Sequence, residues 1–311
     1  MSQDHKRWGD LTGVSLSKGH GTGNDFILLT DPDLALNLEA AHIAALCDRH
    51  RGIGADGLIR AVKTNAIDPA SQAPADQWFM DYYNADGSVS EMCGNGVRVF
   101  VEYLVKEGLI SLADGEQVQV ATRAGSKTVG KTEDGYAVDM GPWSFIHGEQ
   151  ARDTGFDATV SARGLKTARS ALSISMGNPH TVVMLGSKAK VEGLGLEQAP
   201  KVSPTPPEGS NIEFVVPEES EETAAETGQA NVGVIRMRVY ERGVGETLSC
   251  GTGACAAAAA TRFWGGEEAP DEWLVHLPGG TLAVTFVLGP DEVEHVVLAG
   301  PAEIVAKMLP L

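Results

Sequence analysis

Cys93-Gly94-Asn95-Gly96 and Cys250-Gly251-Thr252-Gly253 are two near-identical stretches of sequence that lie 157 positions apart. Other polar residues recur in the same order before these two cysteine motifs: Asn24 lies 69 residues before the first cysteine, and Asn178 lies 72 residues before the second. Self-similarity at a near-constant offset is typical of a duplicated domain. We therefore expect two related halves that face each other across a cleft, with one motif cysteine in each half.

Each half also indicates the same mixture of secondary structure. Alternating segments such as residues 136–140, 235–240 and 281–286 predict strands. The two best helix candidates follow the cysteine motifs, at residues 97–106 and 254–263, and the second is almost pure alanine, which has the highest helix propensity. The predicted fold class is α+β, with two pseudo-symmetric domains that each wrap a curved, mostly antiparallel sheet around one central helix. A chain of 311 residues is long enough for two domains of about 150 residues each.

Composition excludes several classes of protein. Hydrophobic residues make up 42% and charged residues 21%, which is typical of globular proteins. The net charge of −18 argues against nucleic acid and anionic membranes as partners. The chain begins without the apolar core of a signal peptide, so we expect a cytoplasmic protein with reduced thiols. The four cysteines match no paired zinc spacing, so no metal is expected.

Two polar stretches are predicted to be insertions. The acidic stretch from 217 to 231 interrupts two strand-like runs, and residues 64–77 contain two prolines among small and polar residues. We expect both to form flexible surface loops, and residues 1–13 to form a flexible extension.

The position of the two cysteines predicts acid/base chemistry. A helix start carries unsatisfied N–H groups and the positive end of the helix dipole. A cysteine there can have its pKa lowered from about 8.5 to about 3.5–7.5, so we expect both thiols to act as bases near neutral pH. Free backbone amides at the same place can hold a carboxylate. Two thiols on opposite faces of one carboxylate-bearing carbon are suited to inverting its configuration, one removing a proton while the other supplies one.

From residue 14 to residue 311 the chain resembles the diaminopimelate epimerase family, enzymes that interconvert LL- and meso-diaminopimelate without a cofactor. The resemblance rests on seven stretches in order: 21–26, 49–57, 84–88, 93–96, 176–180, 209–211 and 238–253. One departure is Gly57, where many members of the family have glutamine. The resemblance implies that this side-chain contact is lost here or replaced by water or the backbone.

The resemblance also implies a role for each site residue. Cys93 and Cys250 are the two acid/base residues, and His180 and Glu241 assist proton movement. The substrate's reacting α-carboxylate is held by the backbone at Gly94, Asn95, Gly251 and Thr252. Its α-amino group contacts Asn84 and Glu241, and its distal end contacts Asn24, Asn178, Asn211 and Arg242. The implied fold returns the last strand to the first domain, so that residues 14–140 with 300–311 form one half and 141–299 the other. The resemblance also implies that the protein is a homodimer and that neither pyridoxal phosphate nor a metal takes part in the reaction.

Two other functions stay open on the sequence. A racemase of the proline or hydroxyproline type uses the same mechanism with two thiols, although its motif usually has histidine at the place of Asn95. A thiol redox or anion-binding protein could instead use the two motif cysteines as a switchable disulfide. Cys47 and Cys255 lie among apolar residues outside any glycine-rich motif and are expected to pack in the core.

Overall fold

The computed structural model describes residue 11 and residues 13–70, 74, 76–218, 231–289 and 291–309. It contains two compact units: the first comprises the described residues up to Val138 together with those from Gly300 onward, and the second is Asp139–Ala299. Most of the expected extension (residues 1–10 and 12), residues 71–73 and 75 of the first expected insertion, and residues 219–230 of the second lie outside the described residues.

The first unit is a sheet with one long helix. Its strands are β1 (Leu16–Gly21), β2 (Asn24–Thr30), β3 (Gly57–Lys63), β4 (Trp78–Asn84), β5 (Gln117–Thr122), β6 (Gly125–Thr132), the beginning of β7 (Gly135–Pro142) and, from the far end of the chain, β19 (Glu303–Met308). Its helices are α1 (Ala40–Cys47), the single turn α2 (Thr64–Ile67) and α3 (Gly94–Lys106).

The second unit has more elements arranged on the same plan. Its strands are β8 (Ser144–Phe145), β9 (Ala158–Ser161), β10 (Arg169–Ser175), β11 (Pro179–Met184), β12 (Lys201–Ser203), β13 (Asn211–Pro217), β14 (Val232–Glu241), β15 (Gly245–Thr247), β16 (Glu272–Leu277), β17 (Gly280–Leu288) and β18 (Glu294–Gly300). Its helices are α4 (Gly148–Thr154), α5 (Lys188–Glu192), α6 (Gly251–Gly265) and a 3₁₀ turn at Gly266–Glu268.

Strand pairing shows the duplication directly. In the first unit β1 pairs antiparallel with β2, β2 parallel with β3, β3 antiparallel with β4, β4 parallel with β5, and β5, β6 and β7 follow antiparallel. The second unit repeats this sequence of pairings with β10, β11, β13, β14, β16, β17 and β18. In both units the long helix connects the fourth and fifth of these strands, so the predicted two-repeat α+β fold is confirmed.

One helix forms the centre of each unit. Helix α3 contacts β1, β2, β3, β6 and β19, and α6 contacts β10, β11, β13, β14, β16 and β17. Since strands from most of a sheet reach a single helix, each sheet curves around it. The alanines of α6 from Ala254 to Ala260 are all buried, and their small side chains let the strands approach closely.

Both long helices begin three residues earlier than predicted, because their first turns consist of the motif residues themselves. Glycine has a low helix propensity, and this concealed the first turn from the sequence pattern. The insertion at 64–77 was expected to be a loop throughout, but Thr64–Ile67 form a helical turn. The Thr64 amide donates to the Gln77 carbonyl oxygen at 3.0 Å, which ties the two ends of this connection together.

A buried ion-pair network lies in the first unit's sheet. The Arg60 guanidinium donates to Asp81 at 2.7 Å and to Asp31 at 3.3 Å, and Arg123 forms a short ion pair with the other oxygen of Asp81. The Asp81 side chain is completely buried. A buried carboxylate requires such partners, because burial without them costs several kcal/mol.

Candidate active site

The first cysteine motif forms the start of α3. Cys93 is the N-cap residue, with extended backbone angles, and its Sγ accepts a hydrogen bond from the Gly96 amide at 3.5 Å. The amides of Gly94 and Asn95, the first two helical residues, have no carbonyl acceptor within the helix. A thiol and a set of donors suited to an anion therefore lie together at this helix start.

A directed hydrogen-bond network supports this thiol. Arg98, fully buried one turn into α3, donates to Asn95 Oδ1 at 2.9 Å, and Asn95 Nδ2 donates to Asn24 Oδ1 at 3.2 Å. The same Asn24 oxygen accepts from the Cys93 thiol at 3.5 Å, while Asn24 Nδ2 donates to the Asp56 carboxylate at 2.8 Å. A guanidinium can only donate and a carboxylate can only accept, so the two ends of the network fix both amide orientations.

Asn84 lies at the end of β4, directly across from Gly57 on β3. Its Nδ2 donates to Ser88 Oγ at 3.0 Å, within the turn that leaves the strand. A Cβ atom at Gly57 would approach the Tyr83 carbonyl oxygen too closely and would lie 2.7 Å from the Tyr82 ring. The space that a glutamine side chain would need at this position is therefore taken by the Tyr82 ring.

The second cysteine motif repeats the first at the start of α6. Cys250 is the N-cap residue, and its Sγ accepts from the Gly253 amide at 3.4 Å. The Thr252 hydroxyl lies 3.6 Å from the same sulfur, and the Gly251 and Thr252 amides take the places of Gly94 and Asn95. The predicted position of both thiols at helix starts is confirmed.

A line of side chains leads from this second motif into the core. Asn178 Nδ2 donates to Thr252 Oγ1 at 3.4 Å, and Asn178 Oδ1 lies 3.0 Å from His180 Nε2. The other ring nitrogen of His180 lies 2.7 Å from an oxygen of Glu213, and both of these side chains are completely buried. Glu213 was not predicted from the sequence. Its signal was a single acidic residue inside the apolar strand 212–216.

Glu241, at the end of β14, lies on the other side of Cys250. Its carboxylate accepts a short hydrogen bond from Thr247 and a further one from the Cys250 thiol. Burial raises the pKa of Glu241, although these two hydrogen bonds act in the opposite direction. A carboxyl group with a raised pKa next to a thiol is an arrangement suited to proton transfer.

The expectation of a lowered thiol pKa is wrong for Cys250. Burial raises the pKa of this thiol well above its usual value, and the carboxylate of Glu241 adds to the effect. Hydrogen bonds from the Thr252 hydroxyl and the Gly253 amide favour the thiolate but are outweighed. A helix start acts on the thiol only through the local backbone, whereas desolvation and a carboxylate from another strand decide the direction of the pKa shift.

Asn211 and Arg242 adjoin the loop that carries Asn178. Asn211 Oδ1 accepts from the Arg242 backbone amide at 2.9 Å, and Asn211 Nδ2 donates to the Pro179 carbonyl oxygen at 3.4 Å. The Arg242 guanidinium donates to the Glu208 carbonyl oxygen at 2.7 Å. Asn211 thus ties together the loops that carry Asn178 and Arg242. A cavity of about 570 Å³ is lined by residues of these loops, among them Asn178 and Ser210.

The structure brings the predicted site residues together in two sets, one in each unit. Cys93, Asn24 and Asn95 are joined by hydrogen bonds in the first unit, with Asn84 at a neighbouring strand end. The second set is joined in the same way and comprises Cys250, Thr252, Asn178, His180 and Glu241. Arg98 and Glu213 extend these sets into the core and were missed by sequence analysis. Among the residues that the structure describes, no cluster of three or more metal-ligating side chains is present. None of the helices in the same part of the chain is long and apolar enough to cross a membrane.

Several solved structures share this fold. A phenazine biosynthesis protein of the PhzF family from Bacillus anthracis superposes with a TM-score of 0.64 at 15% identity, covering 96% of this chain and 99% of its own. A hydroxyproline epimerase from Agrobacterium vitis has a TM-score of 0.59 at 15% identity, covering 97% of this chain and 93% of its own. At such identities the likeness concerns the fold alone.

Sequence comparison is more specific. The family model described as diaminopimelate epimerase matches residues 16–146 and 172–305, which includes both cysteine motifs. The diaminopimelate epimerase of Thermobifida fusca is 44% identical over 301 residues, covering 94% of this chain and 97% of that protein. The diaminopimelate epimerase of Streptomyces coelicolor is 41% identical over 304 residues and covers 95% of each chain. Similarity of this degree along nearly the whole chain shows that this chain belongs to the diaminopimelate epimerase family.

Proposed function

We propose that this protein is an isomerase that converts LL-diaminopimelate into meso-diaminopimelate, a precursor for lysine and peptidoglycan synthesis. The observation that carries the proposal is the repeated geometry of the two thiols. Each is the N-cap of a buried helix, and each accepts a hydrogen bond from the third helical amide. Relatives that are 41% and 44% identical to this chain bear the name of this activity.

The chemical step that we propose is a two-base inversion. One cysteine removes the α-proton as a thiolate, and the other, as a thiol, donates a proton to the opposite face of the same carbon. Negative charge that develops on the α-carboxylate is stabilised by the amides of Gly94, Asn95, Gly251 and Thr252, which are already oriented. Burial and the Glu241 carboxylate raise the pKa of Cys250, so we assign the acid role at the start of the cycle to Cys250. Cys93 then takes the base role after it has lost the proton that it donates to Asn24 in this structure. The roles exchange in the reverse direction.

The other site residues would bind the remaining parts of the substrate. We assign Asn84 and Glu241 to the α-ammonium group, and His180 and Glu241 to proton movement at Cys250. Four side chains are assigned to the distal amino acid end: Asn24, Asn178, Asn211 and Arg242. A guanidinium is suited to a carboxylate, because it can donate two parallel hydrogen bonds. We also propose, from the family resemblance, a cytoplasmic homodimer without metal or pyridoxal phosphate. Light scattering would test the dimer by giving a mass of twice 32.7 kDa.

The test is to incubate the reduced protein with LL-diaminopimelate in deuterated water. We expect meso-diaminopimelate that carries deuterium at the inverted α-carbon. Cys93→Ser and Cys250→Ser should each lose most turnover, because serine is a far poorer base at neutral pH. Cys255→Ala is the matched control, since it removes a buried thiol from the same helix as Cys250 and should retain turnover. Inversion of proline or hydroxyproline in place of diaminopimelate would overturn the substrate assignment. A lack of turnover with every amino acid would overturn the proposal.

A further inference from the structure

Glu213 lies on β13 in the centre of the second unit, and its carboxylate is completely buried. One oxygen, Oε1, is 2.7 Å from His180 Nδ1, whereas Oε2 has no hydrogen-bond partner among the described residues. A Cβ atom placed on Gly253 would lie 2.8 Å from Glu213 Oε1 and 3.2 Å from Cys250 Sγ. The carboxylate is therefore close to the helix start that carries Cys250.

The ring of His180 has a hydrogen-bond acceptor on each side. Nδ1 points at the Glu213 carboxylate, and Nε2 points at Asn178 Oδ1, whose amide nitrogen is used toward Thr252. With the Asn178 amide in this orientation, Nε2 carries a proton, and a second proton then lies between Nδ1 and Oε1. This second proton gives either an imidazolium with a carboxylate or a neutral imidazole with a carboxylic acid. In both cases the net charge of the pair is zero.

Burial favours this neutral state. An uncompensated carboxylate with no exposure to water is strongly disfavoured, so a buried carboxyl group acquires a proton or a cationic partner. The alternative, a carboxylate beside a histidine that is protonated on Nδ1 only, would leave a net negative charge in the core. It would also leave Nε2 facing another lone pair at 3.0 Å.

The proton on Nε2 sets the direction of the hydrogen bonds that lead to the thiol. Asn178 accepts from His180 through Oδ1 and so donates through Nδ2 to Thr252 Oγ1. The Thr252 hydroxyl, having accepted this bond, is left to donate its own hydrogen to Cys250 Sγ at 3.6 Å. A hydroxyl that donates to sulfur stabilises the thiolate that forms when Cys250 gives up its proton.

We propose that Glu213 is a positioning residue for proton transfer at Cys250. It shares one proton with His180 in a net-neutral pair, and thereby orients Asn178 and Thr252 toward the thiol. The other titratable groups that face the pair are Glu241, from β14, and Cys250 itself, at the start of α6. The positioning role rests on the proposed function, whereas the shared proton is a property of the resting protein.

The first experiment tests the shared proton without substrate. Nitrogen NMR of ¹⁵N-histidine-labelled wild-type protein, with His180 identified by its loss in His180→Gln, should show Nε2 of His180 bearing a proton at neutral pH. A bare Nε2 would overturn the proposal. This measurement needs no variant at Glu213, so it decides the matter even if variants at Glu213 do not fold.

The second experiment measures charge near the thiol by the pH dependence of Cys250 alkylation, followed by mass spectrometry. Removing a carboxylate near the Cys250 thiol lowers the pKa of that thiol, so Glu241→Gln should shift the pH profile of alkylation toward lower pH. Because the Glu213–His180 pair is already neutral, Glu213→Gln should shift it much less. A shift as large as that of Glu241→Gln would show that Glu213 carries an uncompensated charge and would refute the neutral pair.

The third experiment concerns turnover. Glu213→Met fills the space without a polar atom, and we expect it to lower kcat roughly a hundredfold, the lower end of the range for acid/base assistance. Glu213→Gln, whose amide can donate to Nδ1, should restore most of this loss. Asp157→Asn is the matched control, because Asp157 is also a buried partner of a histidine in this unit, at 3.0 Å from His147, and should retain kcat. A Glu213→Met variant with wild-type kcat would overturn the positioning role. If the NMR and alkylation results hold but the wild type does not epimerise diaminopimelate, the proposed function fails and the shared proton stands.

Discussion

Gly253→Ala and Gly96→Ala are equivalent changes in the two repeats, and the structure predicts opposite effects on stability. Both glycines are the third residue of a long helix and donate their amide to the motif cysteine. At Gly96 an added Cβ would have its nearest neighbours at 3.4 and 3.5 Å, which are ordinary van der Waals distances. At Gly253 the same atom would lie 2.8 Å from the Glu213 carboxylate, which would have to move by about half an ångström.

The magnitudes follow from these distances. Replacing glycine by alanine in a helix stabilises by up to about 1 kcal/mol, so Gly96→Ala should be neutral or stabilising. Gly253→Ala has the same gain but also the cost of overpacking a buried site, about 1–3 kcal/mol. The free energies of unfolding of the two variants should therefore differ by about 1–3 kcal/mol. Domains of this size shift in Tm by about 2–4 °C per kcal/mol, so we expect Gly253→Ala to melt several degrees below Gly96→Ala.

Scanning calorimetry is the appropriate assay, because two compact units need not unfold in one transition. The lower Tm of Gly253→Ala should appear in the transition of the second unit, and any change in Gly96→Ala should appear in that of the first. If Gly253→Ala proves as stable as Gly96→Ala, the Glu213 carboxylate is not held against this helix start, and the packing argument is refuted.

Three further variants test other features of the structure. Arg60→Met should destabilise by about 3 kcal/mol or more in urea denaturation, because the buried Asp81 loses a cationic partner; a loss below about 1 kcal/mol would contradict this. Gly57→Gln should lower Tm rather than restore the family's side-chain contact, since the neighbouring tyrosine ring and backbone carbonyl occupy the space. His295 has its pKa raised above 6.5 by its hydrogen bond to Asp139. The stability from this pair is therefore fully present below pH 6.5 and is lost as pH rises through the raised pKa. Asp139→Asn should reduce that dependence in Tm measured against pH, with the remainder due to Asp291, and an unchanged slope would exclude the Asp139 pair as its source.

Much of the fold could be predicted because the signal was repeated in the sequence. Matched motifs at a near-constant offset indicated two related halves, and an alanine-rich run indicated the enclosed helix α6. The first turn of each helix was missed because glycine has a low helix propensity, although here its lack of a side chain lets the backbone approach the thiol. The turn at Thr64 was missed because its anchor at Gln77 lies beyond a proline-containing loop.

The site was less predictable wherever chemistry depends on strands that are distant in sequence. Glu213 reads as one acidic residue in an apolar strand, and only the parallel pairing of β13 with β11 brings it to His180. The pKa of Cys250 was predicted in the wrong direction because the helix start is local, whereas burial and Glu241 come from the tertiary structure. Arg98 was also missed, and only the structure shows that it is fully buried and orients Asn95.

The closing strand β19 has a consequence for the order of events during synthesis. Residues 303–308 pair with β1 at residues 16–20, so the first unit completes its sheet with residues that are synthesised after the whole second unit. The second unit is a continuous segment and has all of its strands earlier. At about 5–20 residues per second, the ribosome needs many seconds to supply the missing strand, and for that time β1 presents an open edge. We therefore expect the nascent chain to complete its second repeat before its first, and to depend on chaperones for protection of that edge.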